Sequence, residues 1–337
     1  MEYDSELGFK VRSKVWGSNE FGFNDNHAVK KEPDVFRIII LGDSFNWYGG
    51  TACNYPALIE KSLNDVPDFK KNKIEVINMG YPMTGTREQY LLLKRHLLQY
   101  NPDLVLLGFF VGNDFRDAVL DRKRIVLNAA FIDIDPRHIV EVFGYPIVPR
   151  SRAYVLLTHM STIRKNTELG WDANIGVCDF APGPTMTEDA FSKVAFENLQ
   201  WGHKNFSIDQ MQEQYKNVSE TIYLMKHYLK KQNIDFKVLI LPDELQVDES
   251  VFNEELAKTQ FSKEDIDIEL SRKKIKEILS TENIEYLDLF PMFKKIGSDK
   301  RLYILRDTHF NKDGTELAAS EITKWLVPQL NSYSLGK

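Results

Sequence analysis

The strongest constraint in this sequence is a set of five short apolar runs, each stopped by a turn-forming residue and separated from the next by a helical pattern. Val35 to Leu41 (VFRIIIL) ends at Gly42, and Ile74 to Asn78 (IEVIN) and Asp103 to Phe110 (DLVLLGFF) follow. Asp235 to Leu241 (DFKVLIL) stops at Pro242, and Ile284 to Phe290 (IEYLDLF) stops at Pro291. Runs of this length, rich in β-branched residues, read as strands. Because they are mostly apolar rather than strictly alternating, both faces are expected to be covered, which points to a parallel sheet flanked by helices.

The intervening stretches carry helical spacing. One helix is expected to begin just after Ser44 and to run through Ala57, Leu58, Ile59 and Leu63. A second starts at Thr86, where Thr86 and Gln89 have the spacing of a capping box, and Leu93, Leu97 and Tyr100 continue its apolar face. Met211 to Lys231, Asp265 to Leu279 and a segment after Gly314 bearing Ala318, Ile322 and Trp325 complete the set. The order β-α-β-α-β, insertion, α-β-α-β-α predicts an α/β fold, a flavodoxin-like three-layer α/β/α sandwich around a five-stranded parallel sheet. One domain over residues 1–337 is expected, with 1–34 as an N-terminal extension. Residues 115–210 interrupt the alternation after strand three. This stretch carries Pro136, Pro146, Pro149, Pro182 and Pro184, and a connection so long reads as a lid or cap over the strand ends, against a plain surface insertion.

Composition removes several classes of function. The 337 residues hold 43 Lys plus Arg against 49 Asp plus Glu, a net charge of -6. With no clustered cations, a nucleic-acid partner is not expected. No apolar stretch approaches the roughly 20 residues of a membrane span. The start, MEYDSELGFKVRSK, lacks the apolar core of a signal peptide. Two readings of location stay open: cytoplasmic if the chain is complete, periplasmic or membrane-anchored if a leader has been removed. Cys53 and Cys178 form no disulfide framework, and one bridge or two free thiols are equally compatible with them. There is no GxSxG elbow, no HExxH, no paired CxxC and no P-loop lysine, so no metal, cofactor or nucleoside-triphosphate site is expected.

Ligands of open α/β sheets sit at the carboxyl ends of the strands. Past strand one comes Gly42-Asp43-Ser44, past strand two Asn78-Met79-Gly80 and Gly85, past strand three Gly112-Asn113-Asp114, and past strand five Asp307-Thr308-His309. A serine at a helix start is most often only an N-cap, yet its own N–H points out of the first turn, unused by the helix, where it can meet developing negative charge. His309 is the candidate base. Asp307, two residues earlier in an extended segment, faces the same way and can orient the ring. Asn113 offers a side-chain amide to an oxyanion, against the ordinary role of a turn asparagine. His27, His96, His138, His159, His203 and His227 read as surface or structural residues.

These blocks resemble the SGNH (GDSL-like) hydrolase superfamily: GDSF at Gly42 to Phe45, NMGYPMTG at Asn78 to Gly85, GND at Gly112 to Asp114 and DTHFNKDG at Asp307 to Gly314. Asn19 to Phe23 and PDELQVD at Pro242 to Asp248 are similar to a longer bacterial branch that carries an N-terminal extension and a large insertion. The resemblance implies Ser44 as nucleophile, His309 as base and Asp307 as its acid, with an oxyanion hole from the Ser44 backbone N–H, Asn113 and a third donor. The family often spaces the acid three residues before the histidine; here the gap is two. Where the family offers a glycine N–H for the third donor, this chain has Met83, so the donor is Met83 or, with a shifted loop, Gly85. The expected activity is ester hydrolysis (esterase, lipase or deacetylase type) on a small-molecule or carbohydrate ester. The alternatives are a carbohydrate O-acyltransferase using the same triad and a non-catalytic binding protein on the same fold. Tyr145, Tyr154, Trp171 and Trp201 are candidates to stack on sugar rings. Oligomeric state is not readable.

Overall fold

The computed structural model describes residues 1–14, 17–67, 73–118, 123–127, 130–134, 139–143, 145–147, 160, 178, 180–205 and 208–334. Its centre is a five-stranded parallel sheet: β1 (Val35–Gly42), β2 (Lys73–Gly80), β3 (Leu104–Phe110), β4 (Asp235–Leu241) and β5 (Tyr286–Asp288). The spatial order is β5-β4-β3-β1-β2, every neighbouring pair parallel. This is the 2-1-3-4-5 order of the flavodoxin-like folds, with β1 and β3 adjacent where the winding reverses.

Successive residues of each strand point to opposite faces. Ile39, Leu41, Ile77, Met79, Val105, Leu107, Phe109, Val238 and Ile240 therefore join one core. It is closed by α2 (Thr86–Tyr100), α4 (Ile208–Lys231) and α6 (Leu270–Thr281) through Leu93, Leu97, Val218, Ile222, Leu229, Ile275 and Leu279. Ile38, Ile40, Val76, Leu106, Leu239 and Leu241 face the other core. There α1 (Tyr55–Asn64), α7 (Phe290–Gly297) and α8 (Lys312–Ser334) supply Ile59, Leu63, Phe293, Ala318, Ile322 and Leu326. Two further helices, α3 (Glu188–Gly202) and α5 (Glu249–Ala257), lie between β3 and α6 in the chain and share a smaller cluster of Ala195, Leu199, Phe252 and Leu256.

Several local expectations change. The single helix after Ser44 is three pieces: a 3₁₀ turn at Ser44–Asn46, a short helix at Gly50–Cys53, and α1. Gly49 and Gly50 take positive φ (93° and 62°), and the Asn54 side chain accepts from Ala57 N to start α1 afresh. The α2 capping residues are Gly85 and Glu88 rather than Thr86 and Gln89; the Gly85 N–H donates to Glu88 Oε2 at 3.3 Å. Strand β5 spans only three residues, and α6 starts at Leu270, after a 3₁₀ turn at Lys263–Asp265.

In residues 1–34, the strands Glu2–Asp4 and Gly8–Lys10 pair antiparallel, and Leu7, Phe9, Val11 and Phe23 enter the first core. The buried Arg37 guanidinium on β1 holds the end of this segment. It pairs with Glu75 Oε2 at 2.6 Å and donates to the carbonyls of Ala28 and Val29 at 3.1 and 2.7 Å. Part of the expected cap, including Tyr154 and Trp171, lies outside the described residues. Tyr145 is exposed, whereas Trp201 is buried edge-on to Tyr215 and serves the core. The two cysteines are joined: Cys53 and Cys178 form a disulfide across 125 residues.

Candidate active site

The carboxyl ends of β1, β2 and β3 are held together by a buried polar knot. Asn46 Nδ2 donates to Ile40 O and Asn78 Oδ1 (3.3 and 3.2 Å), and its Oδ1 accepts from the Tyr55 hydroxyl at 2.7 Å. Asn78 Nδ2 donates to Asn46 O at 2.8 Å, and Asn78 Oδ1 accepts from Gly80 N at 3.0 Å. A Cβ on Gly42 or Gly80 would stand 2.3 or 2.1 Å from Asn46 side-chain atoms, so both strand ends must be glycine for the turn to close this tightly. Buried polar groups tolerate such a place only when paired, and a paired network fixes the turn that carries Ser44.

Asp43, not Ser44, caps that turn: its Oδ1 accepts from Phe45 N at 2.9 Å. Ser44 is thus the first residue of the turn, its N–H belonging to the set a helix start leaves without an internal partner. His309 Nε2 lies 2.6 Å from Ser44 Oγ, and His309 Nδ1 lies 2.5 Å from Asp307 Oδ1. The His309 backbone N–H also donates to Asp307 Oδ1, at 2.9 Å. The other oxygen, Oδ2, accepts from the Tyr48 hydroxyl at 3.2 Å and from the Thr185 hydroxyl. Burial works to raise the Asp307 carboxyl. The His309 imidazole and the hydrogen bonds from His309 and Thr185 outweigh it, and the group lies below its ordinary value.

The imidazole is sandwiched by aromatics. Tyr48 stacks on it with ring centroids 4.2 Å apart, and Phe45 packs at 4.9 Å. Burial, then the Asp307 carboxylate, raise the Tyr48 hydroxyl well above its ordinary value, so it remains a donor. Such a ring can hold one tautomer, take a proton from Ser44 and return it to a leaving group. Asn113 Nδ2 donates to Asp43 Oδ2 at 3.4 Å, beside the serine turn. An amide carries two N–H donors, so one remains for a ligand. Asp43 itself is fully buried, and burial raises its carboxyl. Met83 has φ 65°, the left-handed region that favours glycine, and its side chain is 37% exposed. Met83 thus takes a glycine-like backbone conformation, and Gly85, the other candidate donor, caps α2.

Three features escaped the sequence reading. Tyr48 could have been suspected as an aromatic four residues beyond Ser44, and Asp43 from its place before the turn. Thr185, 122 residues from its partner, gives no sequence signal. His27 has the same D-x-H spacing as His309, through Asp25, yet its Nε2 meets Glu60 Oε2 at 2.9 Å instead of a hydroxyl. Burial would lower this imidazole, but the Asp25 and Glu60 carboxylates outweigh it and push it up to about 10. It is a buttress between the N-terminal segment and α1. Among the described residues, no group of three His, Cys, Asp or Glu is placed to hold a metal, and no helix is long and apolar enough to cross a membrane.

Residues 202–336 match the family model described as SGNH hydrolase-like domain, acetyltransferase AlgX. No curated protein sequence matches the chain significantly. Among solved structures, an acetyl xylan esterase, AlAXEase, is 16% identical, covering 87% of this chain and 99% of its own at a TM-score of 0.44. A lipase/acylhydrolase from Enterococcus faecalis is 15% identical, covering 87% and 96% at 0.43. A catalytic mutant of an acetylxylan esterase from Geobacillus stearothermophilus is 11% identical, covering 86% and 93% at 0.45. The stretch similar to the SGNH hydrolase-like domain, residues 202–336, is the part of the chain that carries β4, β5, Asp307 and His309.

Proposed function

We propose that the chain is a serine acyl hydrolase that cleaves carboxylic esters through an acyl-enzyme on Ser44. The observation that carries this is the continuous chain Ser44 Oγ, His309, Asp307 at 2.6 and 2.5 Å, drawn from opposite ends of the sequence. His309 takes the hydroxyl proton as Ser44 attacks the ester carbonyl, and Asp307 stabilises the imidazolium that forms. The Ser44 N–H and the free Asn113 N–H stabilise the oxyanion, with the backbone of the Met83 loop as the third donor. His309 then protonates the departing alcohol, water enters, and the same ring acts as base for deacylation.

The second reading is transfer of the acyl group to a carbohydrate hydroxyl in place of water. It is favoured by the matched family model, whose description names an acetyltransferase and whose span includes Asp307 and His309. Both readings share the acyl-enzyme and differ in what attacks it. Incubation with p-nitrophenyl acetate, with and without a polysaccharide acceptor, separates them. Free acetate matching the released nitrophenol supports hydrolysis, and acetylated sugar in excess of acetate supports transfer. No nitrophenol burst and no turnover would remove both.

A further inference from the structure

The Asp307 carboxylate has two sides with different duties. Oδ1 takes both His309 donors, and Oδ2 takes the hydroxyls of Tyr48 and Thr185. Tyr48 comes from the serine's own loop. Thr185 comes from the returning limb of the long insertion, a part of the chain with no place in the sheet. A carboxylate bonded to the ring on one side only could rotate about its Cβ–Cγ bond, and charge-assisted hydrogen bonds on the second oxygen oppose that rotation.

The limb is fixed at both ends. At one end Cys178 is bonded to Cys53, in the short helix just after the serine loop. Phe180 lies against Gly49 so closely that a Cβ there would come within 2.8 Å of its ring. At the other end Thr187 caps α3, its hydroxyl accepting from Ala190 N at 3.3 Å. Between these anchors Pro182-Gly183-Pro184 runs directly into Thr185, the two prolines having φ fixed by their rings. Thr185 is half-buried and Cys178 is exposed, so the disulfide is open to reagents while the hydroxyl it helps to place is largely covered.

We infer that Thr185 is a positioning residue for Asp307, and that the Cys53–Cys178 disulfide holds the limb that brings it there. The inference rests on the catalytic reading of Ser44, His309 and Asp307 given above. It makes the end of the insertion part of the active site. It also makes reduction of one bond a loss of alignment at the imidazole. The groups around this pair include Ser44, Phe45 and Tyr48 from the serine loop, Asp43 before it, and Thr185. Among these Thr185 alone is carried by the limb.

The test uses the full chain and five forms: wild type, Thr185→Val, Thr185→Ser, the Cys53→Ser/Cys178→Ser pair and that pair combined with Thr185→Val. Two quantities are read: p-nitrophenyl acetate turnover, and the side-chain NMR signals of His309 (its Nδ1–H proton and its nitrogen shifts). The NMR signals report the tautomer in the resting protein and need no turnover. Thr185→Val is expected to lower turnover about tenfold, the scale of one hydrogen bond to a charged group. It should also broaden the Nδ1–H signal and bring up the second tautomer. Thr185→Ser, which keeps the hydroxyl, should stay within about twofold of wild type and retain the signal.

The cysteine pair should reproduce the Thr185→Val spectrum, and adding Thr185→Val to it should change little more, because coupled residues are non-additive. A dithiol reagent, itself closing to a cyclic disulfide as the bond opens to two thiols, should do the same to wild type and nothing to Thr185→Val. An unchanged His309 spectrum in Thr185→Val overturns the positioning role. A spectrum altered in Thr185→Val but unchanged in the cysteine pair overturns the role of the disulfide. Absence of turnover in wild type, with these spectral changes intact, counts against the catalytic reading alone.

Discussion

Replacing Asp307 by asparagine separates two things an acid does for a histidine: it sets the tautomer, and it supplies charge. In a serine triad the amide usually turns its NH₂ toward Nδ1, forces the wrong tautomer and costs about 10⁴ in rate. The geometry here points to a different outcome. Oδ1 accepts from both the His309 backbone N–H and Nδ1–H, so an amide oxygen is strongly preferred at that position. The NH₂ is then directed at Tyr48 and Thr185, whose hydroxyls can reverse and accept. The tautomer survives and only the charge is lost. At a charge separation of about 4 Å and an effective dielectric of about 20, that charge is worth about 4 kcal/mol to the imidazolium. The expected loss in kcat/KM is therefore about 10³-fold. The assay is p-nitrophenyl acetate hydrolysis from pH 5 to 9, with the His309 tautomer read by NMR. A loss under tenfold would show that Asp307 does not act through His309. Inactivity comparable to Ser44→Ala, with the proton moved to Nε2, would refute the argument from the two hydroxyls.

Other outcomes follow from the same site and its surroundings. Asn113→Ala should lower kcat about 10²–10³-fold with the melting temperature nearly unchanged, since one oxyanion donor is lost; a loss below threefold removes Asn113 from the hole. His27→Gln should destabilise the chain most at pH 6 and below. The folded imidazole, raised to about 10, keeps a proton that the unfolded chain releases near 6.5, so the stabilisation fades as pH climbs through about 10. Its partial exposure keeps the effect to about 1 kcal/mol, and a denaturation series in pH steps checks it. Glu244 runs the other way. Burial dominates, Arg301 opposes it, and the carboxyl is pushed up to about 9, so folding becomes less favourable as pH rises from its ordinary 4.5 through that value. Glu244→Gln should therefore melt progressively higher than wild type between pH 5 and 9, and a constant difference would contradict the assignment.

How far the sequence carried the account depended on whether each decision was local. The runs at Val35, Ile74, Leu104 and Asp235 were legible because a strand covered on both faces is apolar at most positions, the buried Arg37 and Glu75 being paired with each other. Strand β5 is an edge with half-buried residues, so its neighbours looked equally strand-like and the reading overran it. The helix after Ser44 was misread because apolar spacing continues across Gly49, Gly50 and Asn54, and only the backbone geometry shows the breaks. Ser44 and Asn113 stood out by lying just past strand ends, whereas Asp307 and His309 lie beyond α7 and stood out by their D-x-H spacing. Thr185 and the Cys53–Cys178 bond depend on where a long insertion returns, which no local pattern encodes. His27 shows the limit of spacing arguments: the same D-x-H pattern serves a buttress when a carboxylate, not a hydroxyl, stands opposite.

The most direct check of the central claim is covalent capture of the nucleophile. A fluorophosphonate probe, followed by peptide mass spectrometry, is expected to label Ser44 alone, and to lose that label in His309→Ala, where no base remains to take the hydroxyl proton. A chain that stays unlabelled, or carries the probe on another serine, contradicts it.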